Sequence, residues 1–487
     1  MRLTDSPENT SLLKKLAAIV GAENVLASIE DRLAYAYDAT PMRENVPMAA
    51  VRPATVEHVQ ALMRLANAEN FVVVPRGSGT GLSGGSIPVE RSVTLLFPSW
   101  KRILEIDREN LTAWVEPGVI TAELHAAVEA QGLFYPPDPG SMKVCTIGGN
   151  VAENSGGLRG LKYGVTKDYV MGLEVVLPTG ELLRVGNKCV KDVAGFSIKE
   201  LFIGSEGSLG IFTKILLQLI PKPAAAKTLL ALYDDMQKAA ATVSAIIAER
   251  IIPCTLEFLD ATTIRCVEDF AHVGLPTDAE ALLLIEVDGH PAAVADEFEK
   301  VQTICAKHGA REVKIAKDAA EADKLKTARR AAFSALARMR PTTILEDVTV
   351  PRSQIANMLQ RIRDIGKKHD VTFGNFGHFG DGNLHPTCLT DERDRDEIHR
   401  VEKAFEEIFL AAIDLGGTIT GEHGVGLSKK RFLEKVAGPT GVEVMRKIKQ
   451  VLDPNNVLNA GKIFDPKPRC EYPLHSAAFA ATQRQND

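Results

Sequence analysis

Two histidines stand either side of a glycine-rich turn in His378-Phe-Gly-Asp-Gly-Asn-Leu-His385. A second glycine-flanked loop, Gly421-Glu-His-Gly-Val-Gly426, carries a carboxylate and a further imidazole. Period-2 alternation ahead of the first motif (Val371, Phe373, Asn375) predicts a strand leading into it, and two histidines at the base of a hairpin can converge on one ion. Two imidazoles with one carboxylate make a three-ligand set that leaves coordination open for a substrate, as catalytic zinc sites require. The competing reading is that these histidines are structural residues in glycine loops. For a single histidine that reading wins; for this pattern the metal reading does. Asp381 and Asn383 could face an ion, a substrate or their own turn, and a turn role suits Asp381.

The 38 glycines are close to average in number, but many fall in dense knots, which suggests backbone placed against a ligand. Pro75-Arg-Gly-Ser-Gly-Thr-Gly-Leu-Ser-Gly-Gly85 follows an apolar run at 71–74 and contains GxGxxG at Gly79, Gly81 and Gly84. A Rossmann fingerprint must open a helix, whereas here Ser86-Ile-Pro-Val runs on into another strand at 93–97, so that dinucleotide site is rejected. Such a loop can instead aim successive backbone N–H groups at a pyrophosphate as an anion nest, with the Ser78, Thr80 and Ser83 hydroxyls as further donors. A second knot over 136–157 joins a stiff proline loop to close-approach glycines, and a third spans 204–211. Each is weak alone; the series is specific.

The balance of 57 basic and 63 acidic residues, a formal charge of -6, makes a phosphate-tracking nucleic-acid surface a poor reading and points to a small-molecule ligand. The seven cysteines (145, 189, 254, 266, 305, 388 and 470) form no CxxC pair, which argues against a disulfide framework, a zinc knuckle and a self-contained iron–sulfur cluster. With a polar start, MRLTDSPENT, and no apolar run near the ~18–20 residues of a membrane helix, the expectation is a cytoplasmic protein. Any membrane contact is then peripheral, through a partner.

At 487 residues the chain should divide into several units. Helical spacing over 10–37 and 55–69 precedes a strand-rich stretch from about 71 to 220, and the proline–alanine run 221–227 marks a boundary. Beyond it, helices are expected at 235–250, 292–308 and 317–338, with strands near 229–233, 281–287 and 343–350, as a sheet with helices on one side. The expected division is 1–222, 223–420, a short segment 421–470 that includes a helix near 441–452 and packs back on an earlier unit, and a polar tail 471–487. The fold class is α+β.

The series PRGSGTGLSGG, PPDPGS…TIGGN…NSGG and IGSEGSLGI resembles the FAD-binding domain of the vanillyl-alcohol-oxidase (PCMH-type) flavoproteins. With HFGDGNLH and GEHGVG added, the chain resembles their FAD-linked D-2-hydroxy-acid dehydrogenase branch. That branch includes the bacterial glycolate oxidase FAD subunit, D-lactate dehydrogenase and D-2-hydroxyglutarate dehydrogenase. The resemblance covers about 15–465 and implies a FAD-binding domain, an antiparallel-sheet substrate (cap) domain and a small C-terminal helical segment. It assigns cofactor contacts to Pro75, Arg76, Gly77, Ser78, Gly79, Thr80, Gly81 and Leu82, then to Asp138, Ser141, Thr146, Gly148, Gly149, Asn154 and Gly156. Glu206, Gly207, Gly210 and Ile211 follow from the third knot. The usual Asn-Pro-Gly-Lys of the C-terminal segment reads Asn459-Ala-Gly-Lys462 here, keeping Asn459 and Lys462. No histidine lies in the first knot, so the FAD is expected to be non-covalent.

By the same resemblance His378, His385 and Glu422 hold a divalent metal, zinc being expected, and His423 is the base, with an ordinary pKa of ~6.5. The implied reaction removes the hydroxyl proton and passes hydride from a 2-hydroxy acid to flavin N5. Arg329 is retained from the family's Trp-x-x-Arg, here Lys326-Thr-Ala-Arg329, as the fork for the substrate carboxylate. Arg330, Arg338 and Arg340 read as a solvated face. No lysine stands in 344–347 for a second carboxylate, which favours glycolate or D-lactate over hydroxyglutarate. The alternatives are a non-catalytic FAD electron-transfer subunit and a flavin-dependent transferase. An acceptor protein or quinone must take the electrons, and the chain is expected to be a homodimer or part of a complex.

Overall fold

The computed structural model describes residues 7–41 and 44–464; the expected polar tail and Cys470 lie outside them. Helix Pro7–Val20 lays Leu12, Leu16 and Val20 against Val59, Leu62, Met63 and Ala66 of helix Val56–Glu69. Thr55 caps the latter, its side chain accepting from His58 N at 3.3 Å, as Ser and Thr do at an N-cap. The helical spacing over 10–37 yields a helix that stops at Val20, because Gly21 at φ +89° turns the chain away, and a short second helix at Ile29–Leu33. The two helices pack on a four-stranded sheet ordered Val25–Leu26, Ala49–Val51, Ser92–Leu96, Val72–Arg76, whose last three strands are parallel. A second, antiparallel sheet runs Ile103–Asp107, Thr112–Val115, Ile211–Gln218, Val170–Val176, Leu182–Gly186.

After Pro223 the chain builds an eight-stranded antiparallel sheet, ordered Glu312–Ile315, Ala225–Tyr233, Ala281–Gly289, Thr255–Asp260, Thr372–His378, Asn383–Thr390, Thr342–Leu345, with Val348–Thr349 also on Asn383–Thr390. The expectation of helices on one side only is corrected. Leu229, Ala231 and Tyr233 face a core closed by helices Met236–Ala248, Pro291–Lys307, Ile355–His369 and Arg395–Asp414. Leu230 and Leu232, one residue out of step, face a second core closed by Ala261–Ala271 and by the pair Ala319–Arg330 and Ala332–Leu336. Alternate side chains of a strand point to opposite faces, so a strand apolar at every position must be covered twice.

The chain end returns to the first sheet. Helix Lys430–Leu452 bends at Gly438–Pro439, and Leu458 then bridges Val73 in parallel, with Asn459 N donating to Val73 O at 2.8 Å. Ala460 closes a small core with Val72, Val74 and Val89. Six cysteines are free thiols, and among the described residues no helix is long and apolar enough to cross a membrane.

Candidate active site

A cavity of about 500 Å³ opens where the two sheets of the N-terminal half meet the inner face of the large sheet. Its floor is the loop after strand Val72–Arg76. Pro75 to Leu82 line it in succession, joined by Ser141, Thr146, Gly148 and Gly149 and by Glu206, Gly207, Gly210 and Ile211. Among the described residues no group accepts from the backbone N–H of residues 77–82. Backbone donors away from bulk water are rarely left unmet, so this row is built to receive an acceptor, as a pyrophosphate nest is. Gly79 is obligatory: its φ is +72°, and a Cβ there would lie 2.1 Å from Arg76 Nη2. That guanidinium is fixed by donation to Tyr37 O at 2.6 Å.

Five of the residues expected to touch the cofactor stand behind this lining instead. Asp138 is buried and occupied: it accepts from Arg159 N at 3.2 Å and pairs with Arg330 Nη2 at 3.1 Å. Asn154, at φ 56°, caps a helix and accepts from Lys167 N. Gly156 leaves room for Glu422, since a Cβ on it would meet Glu422 Oε2 at 2.8 Å. Asn459 Nδ2 donates to Gly85 O and Glu206 O, and Lys462 Nζ donates to Gly85 O and Ile87 O, so both tie the cradle loops to one another. Burial lowers the Lys462 ammonium to about 7 despite Asp38 and Glu206 nearby. Arg330 is likewise no solvated face: it lines the cavity and pairs with Asp138. Arg340 does pair outward, with Glu397 at 2.7 Å.

The far wall carries the histidines. In the hairpin of Thr372–His378 and Asn383–Thr390, His378 pairs with Asn383 and Phe376 with His385, which makes the two histidines diagonal neighbours on one face. Their ring centroids lie 5.2 Å apart. Glu422 reaches in from the 421–426 loop, its Oε1 3.4 Å from His378 Nε2 and 3.3 Å from His385 Nε2. One ligand atom from each of His378, His385 and Glu422 falls within 4.8 Å of the others, a spacing that can hold one ion. Glu257 stands opposite His378 in the adjoining strand and takes its Nδ1 at 2.7 Å, which aims Nε2 at the centre of the set.

The field here favours positive charge. Burial disfavours a charged His378, yet Glu257 and Glu422 hold it well above the usual histidine range, and the histidines hold Glu422 well below the carboxylate range against its burial. His385, pushed down to about 4 by burial, is neutral at pH 7 and ready to ligate. A buried pocket that favours added positive charge, with two Nε2 atoms and a carboxylate converging, fits a divalent cation. Asp381 accepts from Asn383 N at 3.1 Å and serves its own turn; Asn383 Nδ2 donates to Val348 O and Thr349 Oγ1. Neither belongs to the converging set.

His423 stacks on His385, centroids 5.1 Å apart, with its Nε2 3.6 Å from Glu422 Oε1. Arg329 is buried at 6% exposure, pairs with Glu257 Oε2 at 2.6 Å and packs 4.8 Å above the Phe376 ring. Its buried Nε has no partner, and the residue lines the cavity beside the histidines. Glu257 therefore steadies both the guanidinium and His378. No motif marks Glu257; the available signal was a single acid inside the apolar run Cys254-Thr-Leu-Glu-Phe-Leu259.

Residues 47–186 match the family model described as an FAD binding domain, and residues 222–463 that of the FAD linked oxidases, C-terminal domain. The glycolate oxidase subunit GlcD of Bacillus subtilis is 55% identical over 93% of this chain and 96% of its own, and that of Escherichia coli K12 is 38% identical over 95% and 93%. A D-lactate dehydrogenase of Anaerostipes hadrus is 35% identical over 86% and 89%. In fold the chain is similar to p-cresol methylhydroxylase (TM-score 0.79, 20% identity, 94% of this chain and 97% of that one). It is also similar to 4-ethylphenol oxidase from Gulosibacter chungangensis (TM-score 0.77, 20% identity, 94% and 98%). The anion nest facing an oxidation pocket is thus that of a flavoprotein, and the chain belongs to the FAD-linked oxidases. It is an oxidoreductase with FAD as its cofactor.

The nest gives a direct expectation. Gly79→Val, which forces a side chain onto Arg76 at a left-handed backbone position, should yield folded protein with at least about tenfold weaker FAD binding, from a clash and lost donors of ~1.4 kcal/mol or more. Flavin absorbance after gel filtration checks it.

Proposed function

We propose that this protein oxidises a small D-2-hydroxy acid of the glycolate or D-lactate type to the 2-oxo acid. The observation that supports this reading is the meeting, in one cavity with the nest, of His378, His385 and Glu422 with His423 and the unpaired Nε of Arg329. FAD supplies the two-electron acceptor, and a divalent cation, zinc by the donor set, would lower the pKa of the substrate hydroxyl. His378, His385 and Glu422 would hold that cation. Arg329 offers its guanidinium to the substrate carboxylate and fixes which face of the α-carbon is presented. His423, stacked against His385, takes the hydroxyl proton as the α-hydrogen leaves with its electron pair. Leu345, Phe333 and Phe376 exclude water on the substrate side. No lysine stands in 344–347 for a second carboxylate, which favours monocarboxylates.

The electrons then pass to a separate protein or quinone. The relatives named as subunits support membership of a complex rather than a free-standing oxidase. The reading is tested by anaerobic bleaching of the bound flavin with glycolate, both lactate enantiomers and D-2-hydroxyglutarate. Fast bleaching by glycolate or D-lactate is expected, and no bleaching by any of them with zinc present rejects it. His423→Gln should slow bleaching by ~10²–10⁴-fold with FAD content unchanged, the usual span of a general base; unchanged bleaching would favour a non-catalytic electron-transfer subunit.

A further inference from the structure

Strands Thr342–Leu345 and Val348–Thr349, both paired to Asn383–Thr390, flank Asp347 and bring it beneath the 421–426 loop, where it is wholly buried. Its two oxygens do different work. Oδ2 accepts from the backbone N–H of Gly421 at 2.6 Å and of Glu422 at 2.9 Å, with His423 N at 3.5 Å and Asn383 Nδ2 at 3.4 Å. Oδ1 takes the Thr420 hydroxyl at 2.9 Å and Lys429 Nζ at 2.5 Å, and it faces His423 Nδ1 at 3.5 Å. That Nδ1 is buried and has no other partner. Lys429 is itself fully buried, pairs also with Glu346 at 3.1 Å and lies 5.5 Å from the Phe409 ring centroid, so it cannot swing away.

We propose that Asp347 is the positioning residue for His423: held by the loop backbone and Lys429, it accepts a hydrogen bond from Nδ1–H and so leaves Nε2 free to accept the substrate hydroxyl proton. This rests on the reading of His423 as the base. The geometry carries it. An imidazole whose buried Nδ1 faces only a carboxylate is held in the tautomer with that nitrogen protonated. The loop N–H groups keep the carboxylate from turning, and they belong to the same loop that carries Glu422 and His423. A contact of 3.5 Å is longer than a formed hydrogen bond, and such bonds at catalytic histidines commonly shorten when substrate is bound. Asp347 does not line the cavity and is not itself one of the converging ligands, which it meets only at the Glu422 backbone N–H.

The test is a double-mutant cycle on the FAD-loaded protein, read as the anaerobic bleaching rate at saturating substrate and as substrate Kd. Asp347→Asn should slow bleaching by ~10²-fold or more, with Kd and flavin absorbance near wild type. In a His423→Gln background the same change should have no further effect, because groups that act as one unit are not additive. A multiplicative loss in that background, or an unaltered rate in the single variant, overturns the proposal. A purely structural role would lower FAD content or melting temperature equally in both backgrounds. Since Asp347→Asn strands the Lys429 charge, Asp347→Asn/Lys429→Met removes both members of the pair and supplies the folded variant if the single one fails. If the wild-type protein bleaches with no hydroxy acid, the functional reading fails; if it bleaches and the cycle is additive, only the role of Asp347 does.

Discussion

His385→Ala is expected to cost at least about 10³-fold in the rate of flavin bleaching by substrate while leaving FAD in place. The residue is buried, and its Nε2 is one of three atoms that converge in the cavity. On the proposed metal reading, losing one of three ligands would leave a cation held by His378 and Glu422 alone, and a Lewis acid contributes several kcal/mol, each 1.36 kcal/mol being tenfold in rate. Two measurements check it together: metal per chain by elemental analysis should fall well below one, and a chelator should bring the wild-type protein to the same rate, with zinc restoring it. Rapid bleaching by a chelated protein shown to be metal-free would end the metal reading and leave the three residues as a hydrogen-bonded cluster around Glu422.

Arg329→Met is expected to act in two places at once. It removes the guanidinium offered to the substrate carboxylate, so substrate Kd should rise by tenfold or more. It also leaves Glu257, 1% exposed, without its cation, and breaking a buried pair by removing one partner costs about 3–5 kcal/mol. Glu257 still has His378 at 2.7 Å, so the lower end of that range is expected. Arg329→Lys keeps the charge but not the planar fork; it should restore most of the stability and little of the affinity. Thermal unfolding and a substrate titration separate the two effects, and a stable variant with unchanged affinity would remove Arg329 from the site.

What could be read from the sequence follows from the range of the interactions. The nest of 75–82 and the hairpin of 378–385 are legible because glycine conformation and turn geometry are settled within a few residues, and the residue types announce the chemistry. Glu257 and Asp347 were missed for the opposite reason. Glu257 meets His378 across 121 residues of chain through sheet register, and Asp347 meets Gly421 across 74 beside the lone bridge of Thr349 to Thr418. In 344–347 the missing lysine is legible from residue types, but the approach of Asp347 to His423 is not. The second helical layer on the large sheet escaped for a related reason: Ala281–Gly289 is buried at nearly every position, so no alternation marks its two faces. Asp138 and Asn459 sit in motifs that resemble cofactor contacts yet point their side chains at other protein loops.

The return of the chain end bears on the order in which this protein is made. His378 and His385 leave the ribosome before Glu422 and His423, and the first sheet, translated earliest, waits for Leu458 to bridge Val73. The contact that finishes the cradle, Val73 with Leu458, is therefore among the last to become available and among the longest in sequence separation, the kind that forms slowly, whereas Glu422 reaches His378 across only 44 residues. A chain cut short of residue 421 would keep His378, His385 and most of the nest but would lack Glu422 and His423. On the proposed reading, such fragments would hold neither metal nor substrate in working order.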